Sequence, residues 1–202
     1  MVKAGIWIVA ALIFSVCSAR ADVVYDFRTL SATLNGAPTN LTASGEITIT
    51  DAAFLQGSAQ VSSPPGFPIT HALNGVVSAS FGMFGGPTYT LSNSLINLTA
   101  AVDGLHLAVT PQNLGGGFFV DPGDSDAYFG VAGPGPDVLT VGYGSDNPGS
   151  ACFGSQIPGQ SHCVVTGVFE RVPEPASLIL FGTGLIALAW FGRRREPMKQ
   201  GC

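Results

Sequence analysis

Glycine and proline interrupt this chain about every eight to twelve residues, between short runs of alternating apolar and polar side chains. That spacing leaves no room for a ten-residue amphipathic helix in residues 22–172. It constrains the fold more than any other feature. The punctuation falls at Asn35-Gly36, Pro64-Pro65-Gly66, Gly85-Gly86-Pro87, Asp103-Gly104, Pro122-Gly123 and Pro134-Gly135-Pro136. Between these breaks the side-chain period is two. Val23, Tyr25 and Phe27 alternate with Val24, Asp26 and Arg28; Ile47 and Ile49 alternate with Glu46, Thr48 and Thr50. Val77, Ala79 and Phe81 share a face, as do Leu105, Leu107 and Val109. Residues 89–101 read as a strand pair or an edge segment. Further strands are expected at residues 118–120, 127–131, 138–143 and 164–172. Many short strands at this spacing predict an all-β domain, a single β-sandwich of jelly-roll type.

The two ends have a different character. Residues 1–21 open with Lys3, continue through an apolar stretch at residues 4–16 and finish in Ala19-Arg20-Ala21. This is the order of a secretory signal peptide, with Ala19 and Ala21 as the small residues of the cleavage site and Asp22 as the new N-terminus. A lipoprotein reading through Cys17 is disfavoured because Val16, rather than a small residue, precedes it. Residues 176–192 (ASLILFGTGLIALAWFG) carry no charge. As a helix they span roughly 25 Å, the short end of what a bilayer core of about 30 Å requires. Trp190 and Phe191 stand at the boundary, and Arg193, Arg194 and Arg195 follow as a stop-transfer cluster. The expected organisation is therefore a signal peptide at 1–21, an exported domain at 22–172 and a C-terminal segment at 173–202. In the last of these, a transmembrane helix over about 176–192 is followed by a basic cytoplasmic tail, 193–202.

Trimming both ends exposes the charge of the domain. Arg28 and Arg171 are its only basic residues and it holds eleven acidic ones, a formal charge of −9 against −5 for the whole chain. Such a surface cannot bind nucleic acid by neutralising phosphates. An acidic polysaccharide would need a bridging divalent cation. Asp121, Asp124 and Asp126, clustered around Gly123, are candidate calcium ligands, although no EF-hand glutamate or flanking helices accompany them. The alternative is an Asx-capped turn.

Two of the four cysteines, Cys152 and Cys163, lie in the domain. In an oxidising compartment they are expected to pair, closing a loop of about 12 residues worth roughly 3 kcal/mol. A metal site through Cys163 and His162, or a free redox thiol, are the competing uses. His71, His106 and His162 show no paired-ligand spacing, and no G-x-S-x-G elbow occurs. With Trp7 and Trp190 outside the domain, a sugar-stacking platform would fall to Tyr25, Tyr89, Tyr128 and Tyr143. These features point away from an enzyme.

Pro173-Glu174-Pro175, Ala176-Ser177 opening the apolar segment, and the arginine triplet together closely resemble the PEP-CTERM sorting signal of Gram-negative bacteria. The resemblance covers about thirty residues and leaves the domain unassigned. It implies recognition by an exosortase, a membrane transpeptidase-like protease, and cleavage near residues 173–175. It further implies a cell that makes exopolysaccharide or biofilm matrix, and a protein held briefly in the inner membrane before reaching the surface or the exterior. The expected function is structural or adhesive and non-enzymatic. The alternatives are a carbohydrate-binding module, calcium dependent through the three aspartates, and a small secreted hydrolase.

Overall fold

The computed structural model describes residues 22–64, 69–84, 86–112, 119–120, 127–145, 148, 150–153 and 163–173, with isolated positions at 182, 184 and 186. The chain divides into two compact units, Met1–Arg171 and Val172–Cys202. The described residues of the first are almost wholly β. Its strands are β1 (Val23–Leu34), β2 (Ala37–Pro38), β3 (Ala43–Ile49), β4 (Ser58–Ser62), β5 (Ala72–Asn74), β6 (Val76–Met83) and β7 (Thr88–Thr90). They continue as β8 (Leu95–Ile96), β9 (Leu98–Val102), β10 (His106–Pro111), β11 (Phe119–Val120), β12 (Ala127–Ala132), β13 (Val138–Gly144) and β14 (Cys163–Arg171). Among the described residues of this unit, one short helix, α1 (Asp51–Gln56), joins β3 to β4.

An all-β domain is what the alternation predicts, and its strands pair antiparallel. The division into two separate sheets is not what forms. The strands make one hydrogen-bonded sheet, in the order β5-β4-β9-β10-β14-β1-β3-β6-β7. It forks at β14. One edge of that strand pairs with β1 along most of its length. The other edge is shared: Cys163 to Val168 pair with β13, and Phe169 and Glu170 pair with β10. The branch then runs β13-β12-β11-β8. A strand that changes partner midway lets a single sheet diverge into two flaps, so separate sheets are unnecessary.

The flaps curl together over aromatic side chains. Phe81 of β6 lies 5.1 Å, centroid to centroid, from Tyr128 of β12 and 6.0 Å from Phe119 of β11. Tyr89 of β7 is 5.3 Å from Tyr128, which is 5.1 Å from Tyr143 of β13. Along the hydrogen-bonded path, β6 and β12 are separated by four intervening strands, so these contacts are made across the fold. Phe27 bridges Phe81 and Phe169, each at 5.1 Å with near-edge-on geometry. Pairs of this kind contribute about 0.5–1.5 kcal/mol beyond the burial of their area. Gly167 makes room for them, because a Cβ there would collide with the Phe27 ring and the Arg28 carbonyl.

Two local devices were not visible in the alternation. The alternation predicts a strand over residues 23–30; β1 runs four residues further, because a bulge between Thr29 and Ser31 shifts its register against β14. Leu30 is displaced outward, and the buried face passes from Tyr25 and Phe27 to Ala32. Thr50 caps α1 by accepting a 3.1 Å hydrogen bond from the Ala53 amide, and Gly57 ends it at φ 79°. Between cap and stop the helix has room for only six residues, too few to register as a periodic pattern.

In the second unit, Gly182, Gly184 and Ile186 are helical. Among the described residues no helix is long and apolar enough to cross a membrane; most of the apolar segment 176–192 lies outside them.

Candidate functional site

Pairing across the sheet sets one row of side chains on its outer face. From β10 to β6 it reads His106, Glu170, Asp26, Glu46 and Ser80, each opposite the next. Asp26 therefore faces a carboxylate on both sides. Like charges placed directly opposite are unfavourable. Arg28, two residues along β1, answers them in part by reaching Glu170 at 2.5 Å. Near Asp26 and Glu46, with Ser44, Ser80 and Thr88, the surface dips into an open depression of about 330 Å³.

At the His106 end the row meets a tight cluster. The β9–β10 hairpin turns at Asp103-Gly104, where Gly104 has φ 92°. Asp103 Oδ1 accepts the amides of Leu105 at 2.9 Å and His106 at 2.6 Å. The other oxygen, Oδ2, lies 3.5 Å from His106 Nδ1, and Asp137 Oδ2, ahead of β13, lies 3.9 Å from the same nitrogen. The three ligand-type atoms all fall within 4.8 Å of one another. The His106 amide bond is the main reason the Asp103 carboxyl is held below the usual aspartate range; burial opposes it, and the Leu105 amide and the imidazole add to it. None of the three residues was singled out as a ligand from sequence. The Asp103-Gly104 turn was legible, but Asp137 comes from a loop more than thirty positions away.

A second polar node lies inside. Ser63 Oγ is 2.6 Å from His71 Nδ1, and His71 Nε2 is 2.6 Å from the Leu91 carbonyl. Taken alone this is a serine–histidine pair, but Ser63 is buried and its hydroxyl also accepts the Ile96 amide and faces the Ile96 carbonyl, each at 3.0 Å. Asn97 Oδ1 accepts the Ser63 amide at 2.9 Å. These bonds tie the end of β4 to the break between β8 and β9, a structural latch with the hydroxyl already occupied.

The cysteine expectation holds. Cys152 and Cys163 form a disulfide with Cα atoms 5.3 Å apart, and both are fully buried. The bridge docks the loop after β13 onto the start of β14, where the Ser145 amide also donates to the Cys152 carbonyl at 3.1 Å. The tyrosine platform does not form. Tyr25, Tyr89, Tyr128 and Tyr143 are all buried, because each occupies the inward phase of its strand. Tyr128 also pins the β6–β7 turn, since its hydroxyl accepts the Met83 amide at 3.1 Å and donates to the Pro87 carbonyl at 2.6 Å. The Tyr25 hydroxyl has no hydrogen-bond partner among the described residues. Burial raises its pKa, with Arg171 opposing and Asp103 adding to the rise.

Asp121, Asp124 and Asp126 lie outside the described residues, as do Ala19, Ala21, Glu174, Pro175 and Arg193 to Arg195. Pro173 is described and follows the end of β14 by two positions.

Residues 171–195 match the PEP-CTERM protein-sorting motif. No curated protein and no solved structure gives a significant match to the chain. The motif is the recognition signal of exosortases, so the chain is marked for export and for membrane anchoring before cleavage.

Proposed function

We propose that this PEP-CTERM-bearing chain is an exported, exosortase-processed protein of the cell surface or extracellular matrix, with a structural or adhesive rather than catalytic role. The sorting motif at residues 171–195 is the observation that carries this reading. It begins on the last residue of β14, so the β domain is complete before the processing signal starts. Cleavage near residues 173–175 would release the whole sheet, and the apolar segment would remain as a used anchor.

The composition of the domain supports delivery to an oxidising exterior. Its two cysteines form a disulfide, and its charge is strongly acidic. The non-catalytic reading is supported by the Ser63–His71 pair, whose hydroxyl is occupied by backbone groups. The hydrolase alternative has lost its tyrosine platform; the carbohydrate-binding alternative would rest on calcium held by Asp121, Asp124 and Asp126.

The test is genetic. Deleting the exosortase of the producing cell should leave the chain in the membrane fraction and lower the released form. Unchanged release would remove the reading. A glycan array with and without calcium separates the adhesive reading from the carbohydrate-binding module, since glycan binding in either condition favours the latter.

A further inference from the structure

We propose that Asp103, His106 and Asp137 form a binding site for one divalent transition-metal ion of the zinc class. One imidazole nitrogen and two carboxylate oxygens suit a borderline ion such as zinc, whereas calcium takes six to eight oxygens. Geometry adds a second, independent fit. Ligands about 2.1 Å from a tetrahedral ion stand about 3.4 Å from each other. The imidazole nitrogen already lies 3.5 Å from one carboxylate oxygen and 3.9 Å from the other. The two carboxylate oxygens lie within 4.8 Å of each other, so side-chain shifts of up to about 1.4 Å close the set.

The supporting shell is in place. The Asp103 oxygen that does not face the imidazole is held by two backbone amides, which orients the one that does. Ligating carboxylates are commonly anchored this way. The Asp103 amide donates to the His106 carbonyl at 3.2 Å, closing the hairpin. Asp137 is fixed by a turn in which the Val138 amide donates to the Gly135 carbonyl and the Val138 carbonyl accepts from the Gly133 amide at 2.7 Å. The two segments that meet here come from different parts of the fold, the β9–β10 hairpin and the β12–β13 loop. The next residue in the outer row is Glu170, engaged by Arg28, followed by Asp26 and Glu46. This negative field favours cations at the His106 end. Three protein ligands leave the fourth position open to water or to an external donor.

The competing account is a histidine–carboxylate ion pair that holds no metal. Titration of zinc into the metal-stripped full-length chain, in detergent at a pH of about 7.5, distinguishes them. We expect a saturable site that His106→Gln and Asp137→Asn each weaken by at least about ten-fold. Glu46→Gln, on the same face two strands beyond Glu170, should leave it unchanged, and a large excess of calcium should not displace the zinc. Cobalt substitution should give the visible absorption of a nitrogen–oxygen site, lost in His106→Gln. Circular dichroism of each variant checks that the fold is retained. The proposal is overturned by the absence of zinc binding in the wild type, by wild-type binding in a folded His106→Gln, or by equal weakening in Glu46→Gln.

Discussion

Asp26 and Phe27 are neighbours in β1 and face opposite sides of the same sheet. Phe27 points inward, against Phe81 and Phe169. Asp26 points outward, between Glu46 and Glu170. The inner face is locked by rings from both flaps, and the outer face sets like charges opposite each other. Stability therefore comes from the inside. The outer face carries like-charge pairs that oppose folding. Removing a packed ring from the inner face and removing a charge from the outer row should therefore change stability in opposite directions.

The largest expected effect is on the inside. Phe81→Ala removes the ring that joins Phe27, Phe119 and Tyr128, and should cost about 3–5 kcal/mol in urea unfolding followed by near-ultraviolet circular dichroism. Replacing both Cys152 and Cys163 by alanine should cost about 2–4 kcal/mol by the same measurement. Two buried tyrosines then sharpen the contrast within one face. Tyr128→Phe leaves the Met83 amide and the Pro87 carbonyl without their partner and should cost about 1–3 kcal/mol. Tyr25→Phe removes a hydroxyl that has no partner among the described residues, and should be neutral or stabilising. Equal losses in the two variants would break the account of the interior.

The outer face gives the smallest changes, with the opposite sign. Asp26→Asn relieves two like-charge pairs and should raise stability by about 0.2–1 kcal/mol at neutral pH. A loss of stability there would mean that the row is satisfied by contacts other than those seen. Asp103 is the exception on this side. Its folded carboxyl is held below its unfolded value, so its contribution is present above the unfolded pKa and is lost as pH falls through the folded one. Acid unfolding of Asp103→Asn should lack that component of the pH dependence.

Most strands were legible because their period of two survives on the buried face. Ile47 and Ile49, or Leu107 and Val109, mark their inward phase without help from distant residues. β4 was missed because Ser58, Ala59, Gln60, Val61 and Ser62 alternate correctly but with small, weakly apolar side chains. The bulge at Leu30 was missed because a one-residue insertion appears in sequence as the end of a strand. The fork at β14 follows from which strands share its edge, and local alternation holds no record of that. The disulfide was legible from cysteine count and compartment. The Asp103–His106–Asp137 cluster was not, because its members converge only after β10 and the β12–β13 loop are placed together. The sorting tail was the most legible part of all, since a motif, an apolar run and an arginine cluster act through their order in the chain.

The central claim is that this β domain is cargo, carried by a tail that is removed. The intact mass of the chain recovered outside the producing cell tests it most directly. The account predicts a polypeptide that begins at Asp22 and ends within residues 173–175, two mass units lighter than its reduced form because of the Cys152–Cys163 bridge. A mass that reaches Cys202 would contradict it.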